Sequence, residues 1–434
     1  MFATLKNAWH IADLRKKILF SLMIIVLFRL GSVVPVPFLI PEQVKAMAEA
    51  GSQAGNLLGY LNTLSGGSFS QATIFALSIT PYITSSIVVQ LLTVAIPSLE
   101  RLAKEGEEGR KRLNQITRYT AVGLALLQAF AYYTMLRNQF HAVRYTDGFS
   151  GVFAALVIIA TFTGGAMLIV YLGERIDEHG IGNGISLILF AGIVSRGPAA
   201  VMSFWGFMKL KGFSFGSMLT VVAMLALFLV LIMVIIVMTN AERRIPIQYA
   251  KRVVGRKMYG GQSTFMPIKV NMSGVMPIIF ASSLLAIPGT IKAFTNPTPG
   301  GITDQLLSIF NYNTVFYAVI YFLLILAFNY FYVAIQYNPI EMSNNLRNNS
   351  GTIPGIRPGR PTSDFIARII SRVTLIGGIF LALVATLPIL LGKLTELNVS
   401  LGGTSVIIVV GVALDTFRQL ESQMMMRHYK GFLE

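Results

Sequence analysis

Cysteine is absent from this chain, and histidine, tryptophan and charge are scarce. Its 434 residues hold no Cys, 4 His and 2 Trp, and only 12% are Asp, Glu, Lys or Arg. Without Cys there is no disulfide framework, thiolate zinc site or thiol nucleophile. A soluble chain carries about 25% charged residues, so half that share excludes an ordinary cytosolic enzyme, a disordered protein and a nucleic-acid-binding domain. His10, His141, His179 and His428, with all 19 acidic residues, fall in loops, tails or the ends of apolar segments. Ion-coupled pumps and intramembrane proteases place such groups inside the membrane, where a charge is costly unless it works. Both classes are disfavoured. HExxH, a phosphate-cradling glycine loop, paired intramembrane carboxylates and a Ser/His/Asp set are also missing, so no catalytic site, metal or cofactor is expected.

What is abundant is apolar sequence, at 54% of the chain. Apolar segments run at about 18–37, 72–96, 119–136, 152–172, 182–195, 218–239, 272–293, 313–336, 373–391 and 404–420. At about 20 apolar residues per span, these predict an all-α polytopic membrane protein with ten transmembrane helices. Residues 1–17 place Leu5, Ala8, Trp9 and Ala12 on one helical face among basic residues, the pattern of an interfacial amphipathic helix. The next apolar run reaches about Pro37 without an A-x-A-like cleavage site, so it reads as a span rather than a signal peptide.

Ten spans put both termini on one side of the membrane. Of the 35 Lys and Arg, 26 fall on the side of the termini, in 1–20, 98–118, 172–182, 240–270, 337–372 and beyond 417. By the positive-inside rule that side is cytoplasmic, and most of the net charge of +16 belongs to it.

Three features stand out from plain spans. Residues 51–71, rich in Gly, Ser and Asn, are either an extracytoplasmic surface loop or a non-helical segment at membrane depth, which only surrounding protein or a water-filled cavity permits. TPYITSS (80–86) and MPIIFASS (276–283) repeat a proline, apolar residues and a serine pair, which is either coincidence or the trace of two inverted halves. Lys251, Arg252, Arg256 and Lys257 form one basic group, and Arg357 and Arg360 stand among prolines and glycines in SGTIPGIRPGRP (350–361). Such loops set topology, touch anionic lipid or dock a large acidic partner.

Longer stretches resemble a known family. IFALSITPYITSSIVVQLLTV (74–94), ERLAKEGEEGRK (100–111), GERIDEHGIGNGISLILFAGIV (173–194), KVNMSGVMPIIFASS (269–283), NPIEMSNNLRNNSGTIPGIRPGRPT (338–362) and LGGTSVIIVVGVALD (401–415) are similar to the bacterial SecY family, the channel subunits of the Sec protein translocon. The resemblance covers the chain end to end.

It implies two inverted five-helix halves, 1–195 and 213–421, around a central hourglass pore, with an external hinge at 196–212 and a cytoplasmic tail at 422–434. Matching motif to motif, the apolar ring at the waist is Ile79, Ile83, Ile185, Leu189, Val275, Ile279 and Ile408, with Thr404 one turn before the last. Residues 56–70 match the plug, in which Ser65, Gly66, Gly67 and Ser68 would allow close packing and easy displacement. The second and seventh spans match the lateral gate, where Ser85, Ser86, Gln90, Gln128, Ser282 and Ser283 are the polar candidates. Lys251, Arg252, Arg256, Lys257, Arg357 and Arg360 match the surface that docks the ribosome or the SecA motor. SecE is implied as a clamp and SecG as a peripheral subunit, with signal peptides, nascent polypeptides and membrane lipids as further partners in the bacterial plasma membrane. The expected activity is a protein-conducting channel, not an enzyme, that also releases membrane helices sideways into lipid. The competing readings are an inverted-repeat transporter for a small solute and a multi-span scaffold or enzyme. The loop 100–112 carries Glu100, Glu105, Glu107 and Glu108 among its bases, which weakens its claim as a docking surface.

Overall fold

The computed structural model describes residues 8–44, 65–199, 215–249, 252–254, 257–259, 263–295, 314–395 and 403–430, with a few isolated positions between them. The helices are α1 (Ala12–Gly31), α2 (Thr80–Ala95), α3 (Pro97–Lys104), α4 (Glu107–Asn138), α5 (Gly148–His179), α6 (Gly184–Val194), α7 (Phe215–Asn240), α8 (Met276–Thr295), α9 (Val315–Gln336), α10 (Pro339–Asn348), α11 (Arg360–Thr395) and α12 (Gly403–Lys430). Each of the ten apolar segments contains one of them. Among the described residues five helical stretches are by themselves long and apolar enough to cross a membrane, and α2 with α3, bent by 102°, makes a sixth. Other helices share their segment with charge or with irregular backbone: α1 opens on Asp13, Arg15, Lys16 and Lys17, while α6 and the apolar part of α8 are short. The hinge at 196–212 and the tail beyond 430 lie largely or wholly outside the described residues.

Two boundaries differ from the sequence reading. Of the N-terminal amphipathic stretch, residues 12–17 are continuous with the first span in α1, while extended backbone at Ile11 separates them from the helical residues 8–10 and residues 1–7 lie outside the described residues. Ala8 and Leu14 are buried with Ile181 and Leu420, so this segment packs against the turn before α6 and the end of α12. The second span begins at Thr80, after a series of turns through residues 65–79. There the chain bonds to the residues after α1, with Ile74 N donating to Val34 O at 3.1 Å and Val36 N to Ala72 O at 3.3 Å. Pro81, in the first turn of α2, suits a helix start because its missing N–H would have no intrahelical acceptor.

Small residues set how closely the helices approach. Ala121, Ala125 and Ala129 repeat every fourth residue on α4 and are fully buried. The last two join Tyr132 of α4 with Ile158, Phe162 and Ala166 of α5 in one core. A Cβ at Gly165 of α5 would sit 2.1 Å from Ile74 O, whereas one at Gly164 would meet nothing within 4 Å. Gly165→Ala is therefore expected to destabilise the protein by about 1–3 kcal/mol through overpacking against backbone, while Gly164→Ala is neutral or slightly stabilising. Thermal unfolding in detergent compares the two; equal midpoints would contradict the packing described.

Among the described residues the helical fold also carries two small antiparallel sheets, one of three strands and one of two. β1 (Glu242–Tyr249) pairs with β4 (Ser263–Lys269) and β5 (Gly351–Thr352), and β2 (Arg252–Val254) pairs with β3 (Lys257–Tyr259) between them. Ile245 and Ile268 bury against Val333 of α9 and Ile366, Ile370 and Val373 of α11. A further core joins α7, α8, α9, α11 and α12.

Candidate functional site

The turn before α6 shows why its glycine-rich motif is so dense. Asn183 caps the helix by accepting from Ser186 N at 3.0 Å, and the Asp177 carboxylate accepts from Gly184 N at 2.7 Å. Gly182 holds φ +89°, and a Cβ on Gly184 would lie 1.9 Å from Gly173 O. The turn folds α6 tightly back on α5, and the first turns of α6 then carry Ile185 and Leu189. On the other elements Ile79 immediately precedes α2 and its carbonyl accepts from Ile83 N at 3.0 Å. Val275 immediately precedes α8 and accepts from Ile279 N at 3.3 Å. Ile408 lies in the second turn of α12.

All seven of these side chains meet. Ile79, Leu189, Ile279 and Ile408 are buried in one cluster, with Ile83, Ile185 and Val275 packed against it. The same cluster buries Ile24 and Phe28 of α1, Phe75, Ile169 and Ile176 of α5, further α6 residues and Val412 of α12. Contributions come from both halves of the chain, and Ile79 is wholly buried while Ile408 is 2% exposed. The side chain of Thr404 lies outside the described residues.

Beside the cluster is a cavity of about 540 Å³ with mixed walls, in which Val275, Ile407 and Val412 meet Asn183, Ser186, Tyr332, Gln336, Lys269, Asp415 and Arg418. It reaches between α6 of the first half and α8, α9 and α12 of the second. On the cluster's α1 side lies the turn Ser65–Ser68. Ser65 and Ser68 are buried, and Gly66 and Gly67 have φ of +66° and +96°. Phe69 N donates to Ser65 Oγ at 3.0 Å, and the Tyr132 hydroxyl donates to Phe69 O, tying the segment to α4. Of the expected plug, 56–61 and 63–64 lie outside the described residues.

The gate candidates divide. α8 packs against both α2 and α4, so the two halves touch where the second and seventh spans were matched. Ser85 is buried but committed to its own half: its hydroxyl bonds Thr117 O at 2.7 Å and Thr120 Oγ1. Ser282 is buried and its hydroxyl donates to Ile279 O at 2.9 Å. Ser86, Gln128 and Ser283 are half-buried and Gln90 is exposed.

The two loops that carry the docking candidates are joined, because β5 pairs with β1 and so links the 337–372 loop to the 240–270 loop. Arg357 and Arg360 are exposed, in a turn shaped by Gly355 (φ +80°) and Gly359 (φ +101°). Arg252 and Lys257 lie on β2 and β3, while Lys251 and Arg256 lie outside the described residues. In the neighbouring loop the acids are partly spent on their own helices. Lys104 hydrogen-bonds Glu100 at 2.6 Å and holds its carboxyl below the usual range, and Arg112 lies 3.7 Å from Glu108.

Two buried polar features escaped the sequence reading. Ser273 Oγ donates to Asn329 Oδ1, and Asn329 Nδ2 donates to Thr374 O at 2.8 Å, which fastens the turn leading to Val275 onto α9 and α11. Arg29 is half-buried in α1, and a lone cation inside an apolar run was a legible signal.

The family model of SecY matches residues 73–417. A protein translocase subunit SecY from Mycobacterium bovis is 42% identical over 453 residues, covering 100% of both chains. One from Thermotoga maritima is 41% identical over 440 residues, covering 100% of this chain and 98% of its own. Among solved structures, one of a protein conducting channel superposes with a TM-score of 0.63 at 19% identity, over 94% of this chain and 92% of that one. Sec61 in a canine ribosome-channel complex gives a TM-score of 0.60 at 18% identity, over 94% and 92%. The ten apolar segments, the helical fold and these full-length matches agree: the chain belongs to the SecY family, and is a multi-pass, protein-conducting channel subunit of a translocon rather than an enzyme.

Proposed function

We propose that the polypeptide path runs from the mixed-wall cavity through the seven aliphatic residues that converge in the apolar cluster. The observation that supports this most directly is the convergence of Ile79, Ile83, Ile185, Leu189, Val275, Ile279 and Ile408 from four segments of both halves. A narrow apolar constriction dewets and so blocks ions and small solutes without a charged gate. Aliphatic side chains can also part around a chain of any sequence, a task that calls for few directional contacts. A small polar solute would need fixed hydrogen-bonding groups at the same place, which argues against the transporter reading.

In this reading the turn Ser65–Ser68 is the packed end of the plug, and α2, α4 and α8 line the lateral gate. Ser86, Gln128 and Ser283 are the half-buried polar groups available there, each contact contributing about 0.6 kcal/mol, weak enough for an apolar signal helix to displace. The face bearing the three-stranded sheet, with Arg357 at its centre, is the cytoplasmic docking surface for the ribosome or the SecA motor. Both termini lie on that side. SecE clamps the halves from the lipid side and SecG sits at the periphery. The chain has no nucleotide-binding motif, so the energy comes from a partner or from the proton-motive force.

Vesicles holding the chain with its clamp and motor subunits test this reading. A precursor with an intact signal sequence is expected to become protease-protected at least about tenfold more than a signal-less one, a discrimination of about 1.4 kcal/mol. Saturable uptake of one small solute, indifferent to any signal sequence, would favour the transporter instead.

A further inference from the structure

We infer that Arg29 is a positioning residue for the plug: its guanidinium fixes the last turn of α6 as the seat that Gly66 occupies. The inference rests on reading residues 65–70 as part of the plug. Arg29 lies in the last turn of α1. A guanidinium keeps its charge in proteins and offers only donors, so inside an apolar helix it must find acceptors. Arg29 Nη2 donates to Ala191 O and, at 3.1 Å, to Gly192 O. These carbonyls belong to the final turn of α6, where Ser195 already donates its N–H to Ala191 O at 3.2 Å and its hydroxyl to Gly192 O at 2.7 Å, and where the helix dipole favours a cation. The guanidinium adds a second donor at each of these carbonyls and ties the end of α6 to α1. The guanidinium carbon also lies 5.3 Å from the centroid of the Phe28 ring, which stacks on Phe75 at 5.7 Å.

The turn of the plug rests on the same spot. Gly66 holds φ +66°, and a Cβ there would lie 2.8 Å from Gly192 O, 2.9 Å from Gly192 Cα and 3.0 Å from Arg29 Nη2. Its backbone therefore touches the end of α6 and the guanidinium together, with no room for a methyl group. The turn keeps its own shape through Asn62, whose backbone carbonyl accepts from Gly67 N at 2.8 Å and whose side chain accepts from Ser70 N at 3.1 Å. Among the described hydrogen bonds none holds Gly66 to this seat. Such a seat defines where the plug stops while leaving it free to go, which a reversible seal requires. Arg suits the role better than Lys because its planar fork spans two carbonyls, whereas an ammonium acts as a point charge.

The test is halide leak from vesicles holding the full complex without substrate, with each variant matched for inserted protein. Losing two charge-assisted hydrogen bonds at the seat, R29Q is expected to raise resting leak about tenfold, with R29K leaking severalfold because it keeps the charge but not the fork. Gly66→Ala alone is expected to leak comparably, since its methyl group cannot enter the seat. Combining G66A with R29Q is expected to add nothing, because both act through one contact. If G66A holds halide as tightly as the parent, the plug reading itself fails. If G66A leaks while R29K and R29Q do not, or if the double variant leaks as the product of the two, the plug reading survives and the role of Arg29 is overturned.

Discussion

Replacing Ile279 and Ile408 together by asparagine is expected to raise the resting halide leak of reconstituted channels by about 30–100-fold, equivalent to about 2–3 kcal/mol from the barrier. Both side chains are buried in the cluster that joins the two halves, Ile279 from α8 and Ile408 from α12. Each amide brings donors and acceptors into a place whose neighbours are aliphatic, and an unsatisfied buried amide costs about 1–3 kcal/mol. Water entering the constriction relieves that cost, so the same substitution that destabilises the dry state stabilises the wet one. The closed arrangement also loses apolar packing, about 2–5 kcal/mol for a large truncation in a core. The requirement for a signal sequence is therefore expected to relax in the same variant. Leak measured by halide-sensitive dye, and export of a signal-less precursor, check the two effects. Unchanged values for both would show that the cluster is ordinary helix packing away from the conduction path.

Arg357→Glu is expected to lower precursor export more than about tenfold without lowering the amount of inserted protein, because a like-charge contact at a docking surface costs several kcal/mol. The residue is exposed, and its role in the fold is carried by its backbone, whose carbonyl accepts from Thr362 Oγ1 at 2.8 Å. The loop around it is held by other groups: Ser343 Oγ donates to Gly359 O at 2.9 Å, and β5 pairs with β1. Reversing one exposed charge thus alters the surface presented to an acidic partner while the turn remains. Export and ATPase stimulation of the motor, compared at low and high salt, measure the effect. Normal export at every ionic strength would move the docking surface elsewhere on this face.

Much of this architecture was legible because apolar periodicity and charge asymmetry are large signals: each of the ten apolar segments contains helix. Where the reading and the structure part, local chemistry explains it. Residues 72–79 are apolar enough to extend α2, yet Ala72 and Ser78 take positive φ and the chain bonds back to residues 34–36. Tertiary hydrogen bonds decided that conformation, and a hydropathy window is blind to them. The three-stranded sheet was hidden by its prolines, Pro246 in β1 and Pro267 in β4. Proline is tolerated at strand edges; β4 is an edge strand, and β5 reaches only Gln248 and Tyr249 of β1, leaving Pro246 without a second partner strand.

At the site, the motif match brought seven dispersed aliphatic residues to one cluster, which composition alone could not have done. The partner of a small polar side chain is less legible: Ser85 faces α4, and whether a serine turns to its own half or across to α8 depends on helix rotation, not on sequence spacing. Arg29 was visible as a charge in an apolar run, but its acceptors are backbone carbonyls of Ala191 and Gly192, some 160 residues away in the chain.

The most direct test of the central claim uses the absence of cysteine in this chain. A single Cys at position 279 is assembled with the partner subunits in vesicles, and a precursor with its own single Cys is stalled midway across. The account predicts a disulfide between the two that forms only with precursor, motor and ATP present. If export proceeds while no adduct forms at 279, nor in parallel variants at positions 83 and 408, the polypeptide does not pass through the apolar cluster and the account is wrong.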